Sequence, residues 1–249
     1  MRAPSPHWVF LTGNAGSIGS VWIVDGDAQR PVGMIASGFL PDFAIALDGA
    51  GYFLGETYWS RGSRGKRSDF ITYYDATSLN VTGETPLPEG RFLVGKRFTL
   101  QLSGNGRLLL SANMRPATSV SVIDVIARTR LTEVTTPGCT LVLPHGEASF
   151  SSLCANGSFM TVHLGLDGKA EKLRGEPFFD PDADPVFDDW ALSRTAQRAH
   201  FVSYEGLVYP IDLSGAVPRV QGSPWPLTSA REMEREQHWR PGGVQPLDY

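Results

Sequence analysis

One pattern constrains this chain more than any other: a segment of apolar strand, polar turn and apolar strand that keeps coming back. It occurs at Phe43–Leu54, Phe98–Leu110 and Trp190–Val202, with a weaker copy at Leu143–Phe150. Aligned on Leu47, Leu102, Leu143 and Leu192, the copies step by 55, 41 and 49 residues. A second segment interleaves with the first and ends in aspartate: Val21–Asp25, Ile71–Asp75, Val120–Asp124 and Leu207–Asp212. Phe159–His163 is a degenerate copy whose aspartate has drifted to Asp167. Each is followed by a polar turn and another short strand, as in Pro31–Ile35 and Leu131–Val134. Two hairpins per unit make four strands per unit, and four strands in 40–50 residues is the signature of a propeller blade. A lone four-stranded sheet leaves both faces wet, so such units must stack to bury them. An immunoglobulin-like pair of sandwiches is the alternative, but this repeat is too long for its strand spacing. The recurrent aspartate reads as a turn residue that accepts hydrogen bonds from its own loop, not as a catalytic group.

The predicted fold is therefore all-β, a β-propeller of four-stranded blades in a single domain over residues 1–249. Residues 8–35 supply three strands, residues 43–222 supply four units, and Trp239–Tyr249 reads as the first strand of another. About five blades' worth of sequence is present. Either the last strand completes the first sheet or the chain is a piece of a larger propeller. An incomplete ring would expose apolar faces and strand edges at its terminal blades.

The glycines in VFLTGNAGSIGSVWIVDGD, residues 9–27, invite comparison with a phosphate-cradling loop. That motif needs G-x-G-x-x-G followed by an amphipathic helix. Here the spacing is G-x-x-G-x-x-G, and Val21–Val24 is β-branched and aromatic before a tight Asp25-Gly26-Asp27 turn. The stretch reads as two strands with a glycine-rich connection.

Net charge is −4, which gives no global attraction to nucleic acid or an anionic membrane. No apolar run approaches the roughly 20 residues of a membrane span. The start of the chain runs directly into strand, with no export signal. The five histidines show no ligand spacing, and there is no convincing nucleophile–base motif. Cys139 and Cys154 flank a hairpin turn at Pro144–Glu147, so they are either a cross-strand disulfide or two buried thiols. Arg61, Arg64, Lys66 and Arg67 crowd one short stretch without interleaved aromatics, which suits an inter-strand loop meeting a partner surface. Asp180–Asp184 lacks the glycine and distal glutamate of a calcium loop. Ser229–Glu236 is the one clear helical run, with Ser229 as its cap and Glu232 three positions on.

Several stretches resemble one family. Val32–Pro41, Ser60–Asp69, Leu87–Gly95, the pair Cys139 and Cys154, and Trp239–Gly243 occur in the same order in the heavy (α) subunit of bacterial quinoprotein amine dehydrogenases, the methylamine and aromatic amine dehydrogenases. The resemblance implies a seven-bladed propeller, of which this chain would lack roughly the last two blades and an N-terminal extension with its export signal. It implies a disulfide between Cys139 and Cys154 and a periplasmic location. It places Phe39 at the mouth of the substrate channel, where an aromatic ring excludes water and shapes which amine fits. The redox cofactor, tryptophan tryptophylquinone, would sit on a separate disulfide-rich light chain, with none on this chain. That light chain oxidises primary amines to aldehydes and passes electrons to a small copper protein or cytochrome. This chain would be the scaffold in a heterotetramer with a second heavy chain, its basic loop facing the light chain or that second copy. The alternative is a stand-alone propeller that binds a protein or ligand without redox chemistry.

Overall fold

The computed structural model describes residues 5–15, 18–228 and 240–242. The helical run expected at Ser229–Glu236 and most of the strand expected at Trp239–Tyr249 lie outside the described residues. Every described element is a strand, and the strands form five antiparallel meanders.

The first sheet has three strands, β1 (Trp8–Ala15), β2 (Ile18–Asp25) and β3 (Arg30–Ser37). The second runs β4 (Asp42–Ile45), β5 (Gly51–Trp59), β6 (Arg67–Asp75) and β7 (Val81–Leu87). The third runs β8 (Leu100–Leu102), β9 (Leu108–Asn113), β10 (Ser119–Asp124) and β11 (Thr129–Thr135). The fourth is β12 (Cys139–His145), β13 (Ser149–Cys154), β14 (Phe159–Leu164) and β15 (Ala170–Arg174). The fifth is β16 (Val186–Ser193), β17 (Arg198–Ser203), β18 (Leu207–Asp212) and β19 (Arg219–Val220), with β20 (Trp225–Pro226) also paired to β18. These are the units that the repeat predicts, three strands and then four sheets, except that β20 adds a fifth strand to the last of them.

The recurrent aspartates close the turns as expected. Asp25 Oδ1 accepts the N–H groups of Asp27 and Ala28, each at 3.0 Å. Asp75 Oδ1 accepts those of Thr77 and Ser78, Asp124 Oδ1 those of Ile126 and Ala127, and Asp212 Oδ1 that of Ser214. Hydrogen bonds from Ser78 and Ser214 hold Asp75 and Asp212 below the ordinary carboxylate range. Four residues after three of these aspartates the chain turns left-handed on a residue other than glycine: Gln29 (φ 49°), Leu79 (φ 58°) and Arg128 (φ 54°). A register shift accompanies each of these turns, at Ile23/Val24, Tyr73/Tyr74 and Val122/Ile123.

The chain falls into two compact units. In the first, residues 1–102 and 106–135, consecutive residues of β5 serve two cores because side chains alternate across a strand. Tyr52 and Leu54 pack with Trp8, Val21, Ile23 and Ile35 of the first sheet. Phe53 packs with Leu100, Leu102 and Leu109 of the third. The far face of the first sheet is apolar and open: the cross-strand row Leu11, Trp22 and Met34 is 52%, 44% and 44% exposed.

In the second unit, residues 103–105 and 136–249, the fourth and fifth sheets share an aromatic cluster. Phe159 and Phe178 stack at 4.8 Å, and Phe201 meets both edge-on. Cys139 and Cys154 face each other across β12 and β13 and are joined by a disulfide, buried beside Met160. Closing a loop of this length contributes about 3 kcal/mol by restricting the unfolded chain. The Asp180 carboxylate accepts the N–H groups of Asp182 and Ala183.

His145, at the end of β12, is 2% exposed and bonds Ser151 Oγ through Nε2 at 2.9 Å. Burial, aided by the nearby His163, lowers its pKa to about 4. A base whose folded value is depressed stays neutral in the native chain, while the unfolded chain takes up a proton below about 6.5. Stability is therefore intact above that value and falls as the pH drops toward 4. Between pH 7 and 4.5 the loss is expected to be about 2–3 kcal/mol. Urea titrations of the wild type and His145→Asn at the two pH values check it; equal pH dependence in both would refute the assignment.

Candidate functional site

The first unit contains a buried charged network, and it surrounds the loop that carries Phe39. That loop links β3 to β4, and the N–H and C=O groups of Gly38, Phe39 and Leu40 are all hydrogen-bonded. The Gly38 N–H donates to Glu56 Oε1 at 3.0 Å, the Phe39 N–H to Thr57 O at 2.8 Å, and the Leu40 N–H to Asn14 Oδ1 at 3.0 Å. Leu40 takes a left-handed conformation, φ 45°. A Cβ at Gly38 would stand 2.6 Å from Thr57 O, and one at Gly19 only 2.2 Å from Gly38 O. Gly19, which from sequence belongs to a glycine-rich connection, lies within β2 and lets the loop pass directly over the strand. Gly16 lies outside the described residues.

From below, Arg91 fixes the loop's carbonyls. Its Nη2 donates to Phe39 O at 3.0 Å and to Leu40 O at 2.8 Å. Its Nη1 pairs with Asp42 Oδ2, and its Nε donates to Thr57 Oγ1 at 3.2 Å. The Arg91 side chain is fully buried and that of Asp42 nearly so. Burial pushes the Asp42 carboxyl above the ordinary range, against the pull of Arg91 and of Thr99, which donates to Asp42 Oδ1.

A second ion pair anchors Arg91 in turn. Asp69 Oδ2 accepts the N–H groups of Gly90 and Arg91, while Oδ1 accepts Thr57 Oγ1 at 2.6 Å and Arg67 Nε at 2.9 Å. Burial raises the Asp69 carboxyl, but the bonds from Arg67, Thr57 and Gly90 outweigh it and hold it below its ordinary value. Arg67 also donates to Arg91 O. The expectation that Arg67 belongs to an exposed basic loop with Arg61, Arg64 and Lys66 is thus corrected. Arg61, Arg64 and Lys66 lie in the exposed connection between β5 and β6, whereas Arg67 begins β6 and turns inward to Asp69.

Above this frame the Phe39 ring is half-buried and meets Trp59 edge-to-face, centroids 5.5 Å apart. Trp59 ends β5 and leads directly into the basic connection. Phe39, Trp59 and the loop 60–66 therefore form one surface. Sequence reasoning found Phe39 only through resemblance, and missed Trp59, Arg91, Asp42, Asp69 and Thr57. The available signal was Arg91 inside the family-like stretch Leu87–Gly95, but its partner Asp42 is 49 residues away. Among the described residues no group of three or more His, Cys, Asp or Glu is arranged to hold a metal ion.

These meander sheets define a β-propeller protein. Two solved structures share the fold: a dihydro-heme d1 dehydrogenase NirN in complex with DHE, with TM-score 0.59 and 18% identity, and the Dos1 propeller, with TM-score 0.54 and 11% identity. The likeness covers 92% of this chain and 46% of the first structure, and 86% and 56% for the second. Sequence gives the particular family. The profile of the methylamine dehydrogenase heavy chain (MADH) matches residues 8–249, and the chain belongs to that family. It is 30% identical to the methylamine dehydrogenase heavy chain of Methylorubrum extorquens over 235 residues, 94% of this chain and 56% of that protein. It is 30% identical to the heavy chain of Paracoccus versutus over 253 residues, 99% of this chain and 58% of that one. The chain thus spans a little over half the length of these curated relatives. No helix among the described residues is long and apolar enough to cross a membrane.

Proposed function

We propose that this chain is the heavy-chain scaffold of a periplasmic amine dehydrogenase, and that Phe39 lines the channel through which a primary amine reaches the partner's cofactor. One observation carries the reading. A half-buried aromatic ring, meeting Trp59 edge-on, stands on a loop whose backbone is hydrogen-bonded by Glu56, Thr57, Asn14 and Arg91, in a chain of the heavy-chain family. A rigid aromatic at a channel mouth sorts amines by width and keeps water out.

In this reading the chemistry belongs to a light chain carrying tryptophan tryptophylquinone, which supplies two-electron oxidation of the amine to an aldehyde. A small copper protein or cytochrome then takes the electrons. This chain's residues position the partner and shape access. The exposed Arg61, Arg64 and Lys66, adjoining Phe39 and Trp59, suit an acidic partner surface that is also apolar at its centre. The buried disulfide and the family suit an oxidising compartment.

The test is co-expression with a disulfide-rich light chain. The two chains should co-purify with the quinone chromophore and reduce an artificial acceptor when given amine. In that complex, Phe39→Ala is expected to raise kcat/KM for a bulky amine relative to methylamine by about tenfold, since one removed ring opens the pocket by several methylenes. Co-purification with unaltered selectivity would remove Phe39 from the channel. Failure to bind any quinone-bearing chain would favour the stand-alone propeller.

A further inference from the structure

We propose that Arg91 is a positioning residue for amine selectivity, setting where the Phe39 ring stands by gripping the successive carbonyls of Phe39 and Leu40. The inference rests on the channel reading of Phe39, and it adds a residue whose side chain is fully buried beneath that loop.

The geometry separates Arg91 from an ordinary buried ion pair. A guanidinium needs one face for its carboxylate, and here Nη1 serves Asp42. Nη2 donates to the loop at Phe39 O and Leu40 O, and Nε donates to Thr57 Oγ1 of β5. Thr57 O in turn receives the Phe39 N–H. The N–H of Phe39 is thus tied to Thr57 and its carbonyl to Arg91, and these two residues are bonded to each other. Leu40, next along, sits at φ 45°, where a β-substituted residue is held only by its surroundings. Arg91 supplies part of that hold through the Leu40 carbonyl. Lysine has three donors on a single atom and no planar fork, so it cannot serve Asp42, both carbonyls and Thr57 Oγ1 together. The backbone N–H of Arg91 is itself fixed by Asp69, and its carbonyl by Arg67, at the root of the basic connection. A run of hydrogen bonds therefore leads from Arg67, beside the basic connection, through Arg91 to the Phe39 carbonyl.

The test uses Arg91→Lys, which preserves the charge facing Asp42, in the full chain and in the complex with a light chain. In the full chain, hydrogen exchange at the Phe39 and Leu40 amides is expected to rise about tenfold while the Cys139–Cys154 hairpin keeps its rate. In the complex, the ratio of kcat/KM for phenylethylamine to that for methylamine is expected to shift about fivefold, carried mainly by KM, and in the direction that Phe39→Ala shifts it. The double variant should show no shift beyond Phe39→Ala alone, because Arg91 acts through that ring. Thr57→Val, which keeps both charges and the volume, is the second variant should Arg91→Lys fail to fold; it should move the same readouts less. Unchanged exchange at Phe39 and Leu40 would overturn the proposal. So would additive selectivity effects, or a Phe39→Ala shift with no counterpart in Arg91→Lys. If Phe39→Ala itself leaves selectivity unchanged, the channel reading falls and takes the selectivity role of Arg91 with it, a result distinct from both.

Discussion

Asp42→Ala is expected to lower the unfolding free energy by about 3–5 kcal/mol, because it strands the buried Arg91 guanidinium without a counter-charge. The size of the effect comes from desolvation, not from the strength of the ion pair. Taking a carboxylate and a guanidinium out of water costs several kcal/mol each, and their attraction roughly returns that sum. The direction in which Asp42 is pushed says the same: burial raises it despite Arg91 and Thr99. A carboxyl held above its ordinary value binds its proton more tightly in the folded chain. Any stability gained from it is present below about pH 3.9 and lost as the pH rises through the folded value, so ionising it at neutral pH is a cost. A paired replacement separates the two accounts. Asp42→Leu combined with Arg91→Met removes both charges, and should recover most of what Asp42→Ala loses, as measured by urea unfolding at pH 7. If the double variant is as unstable as the single one, the pair itself stabilises the fold and the desolvation argument is wrong. In either outcome the Phe39 loop loses its anchor, so stability and selectivity should part company in the double variant.

The parts of this structure that were legible in the sequence are the local ones. An aspartate ending an apolar strand can accept N–H groups two and three residues on whatever surrounds it; Asp25, Asp75 and Asp124 do so, and Asp212 accepts the N–H two residues on. Alternation of side chains placed Tyr52 and Phe53 on opposite faces of one strand, and the repeat length set four strands to a sheet. The left-handed residues Gln29, Leu79 and Arg128 were not legible, because local preference would put glycine or asparagine there. The turn aspartate and the accompanying bulge impose the conformation, and the side chain follows. The inward turn of Arg67 was hidden by its neighbours in sequence, three cations that do face solvent. The frame under Phe39 was hidden for a different reason. Asp42, Thr57, Asp69, Arg91 and Thr99 come from separate strands and connections of one sheet and its neighbours, and only the register of β4, β5 and β6 brings them together. A single sequence carries no trace of such a meeting except the unusual presence of charge next to apolar strands.

Trp190→Ala is expected to cost about 3–5 kcal/mol in the second unit. Trp190 is 1% exposed in β16, the largest side chain buried so completely among the described residues. Its ring lies 5.1 Å from that of Phe201, tilted by 33°. Phe201 meets Phe159 at 5.7 Å and Phe178 at 5.8 Å, and Phe178 meets Tyr209 at 5.7 Å. The cluster joins residues from β14, β16, β17 and β18 with the connection that carries Phe178, so it is what holds the fourth and fifth sheets face to face. Truncation to alanine removes the indole's buried surface and leaves a cavity that aromatic neighbours, pinned in backbone strands, can only partly fill. Trp190→Phe keeps one ring in place and should cost about 1–2 kcal/mol. The contrast matters because a propeller sheet has no core of its own. If the loss came from the strand and not from the packing, phenylalanine and alanine would be alike, since both keep the backbone hydrogen bonds of β16. Urea unfolding of the two variants, followed by circular dichroism so that the lost tryptophan does not alter the signal, decides it: similar losses would mean that sheet pairing, not the aromatic layer between sheets, sets the stability of this unit.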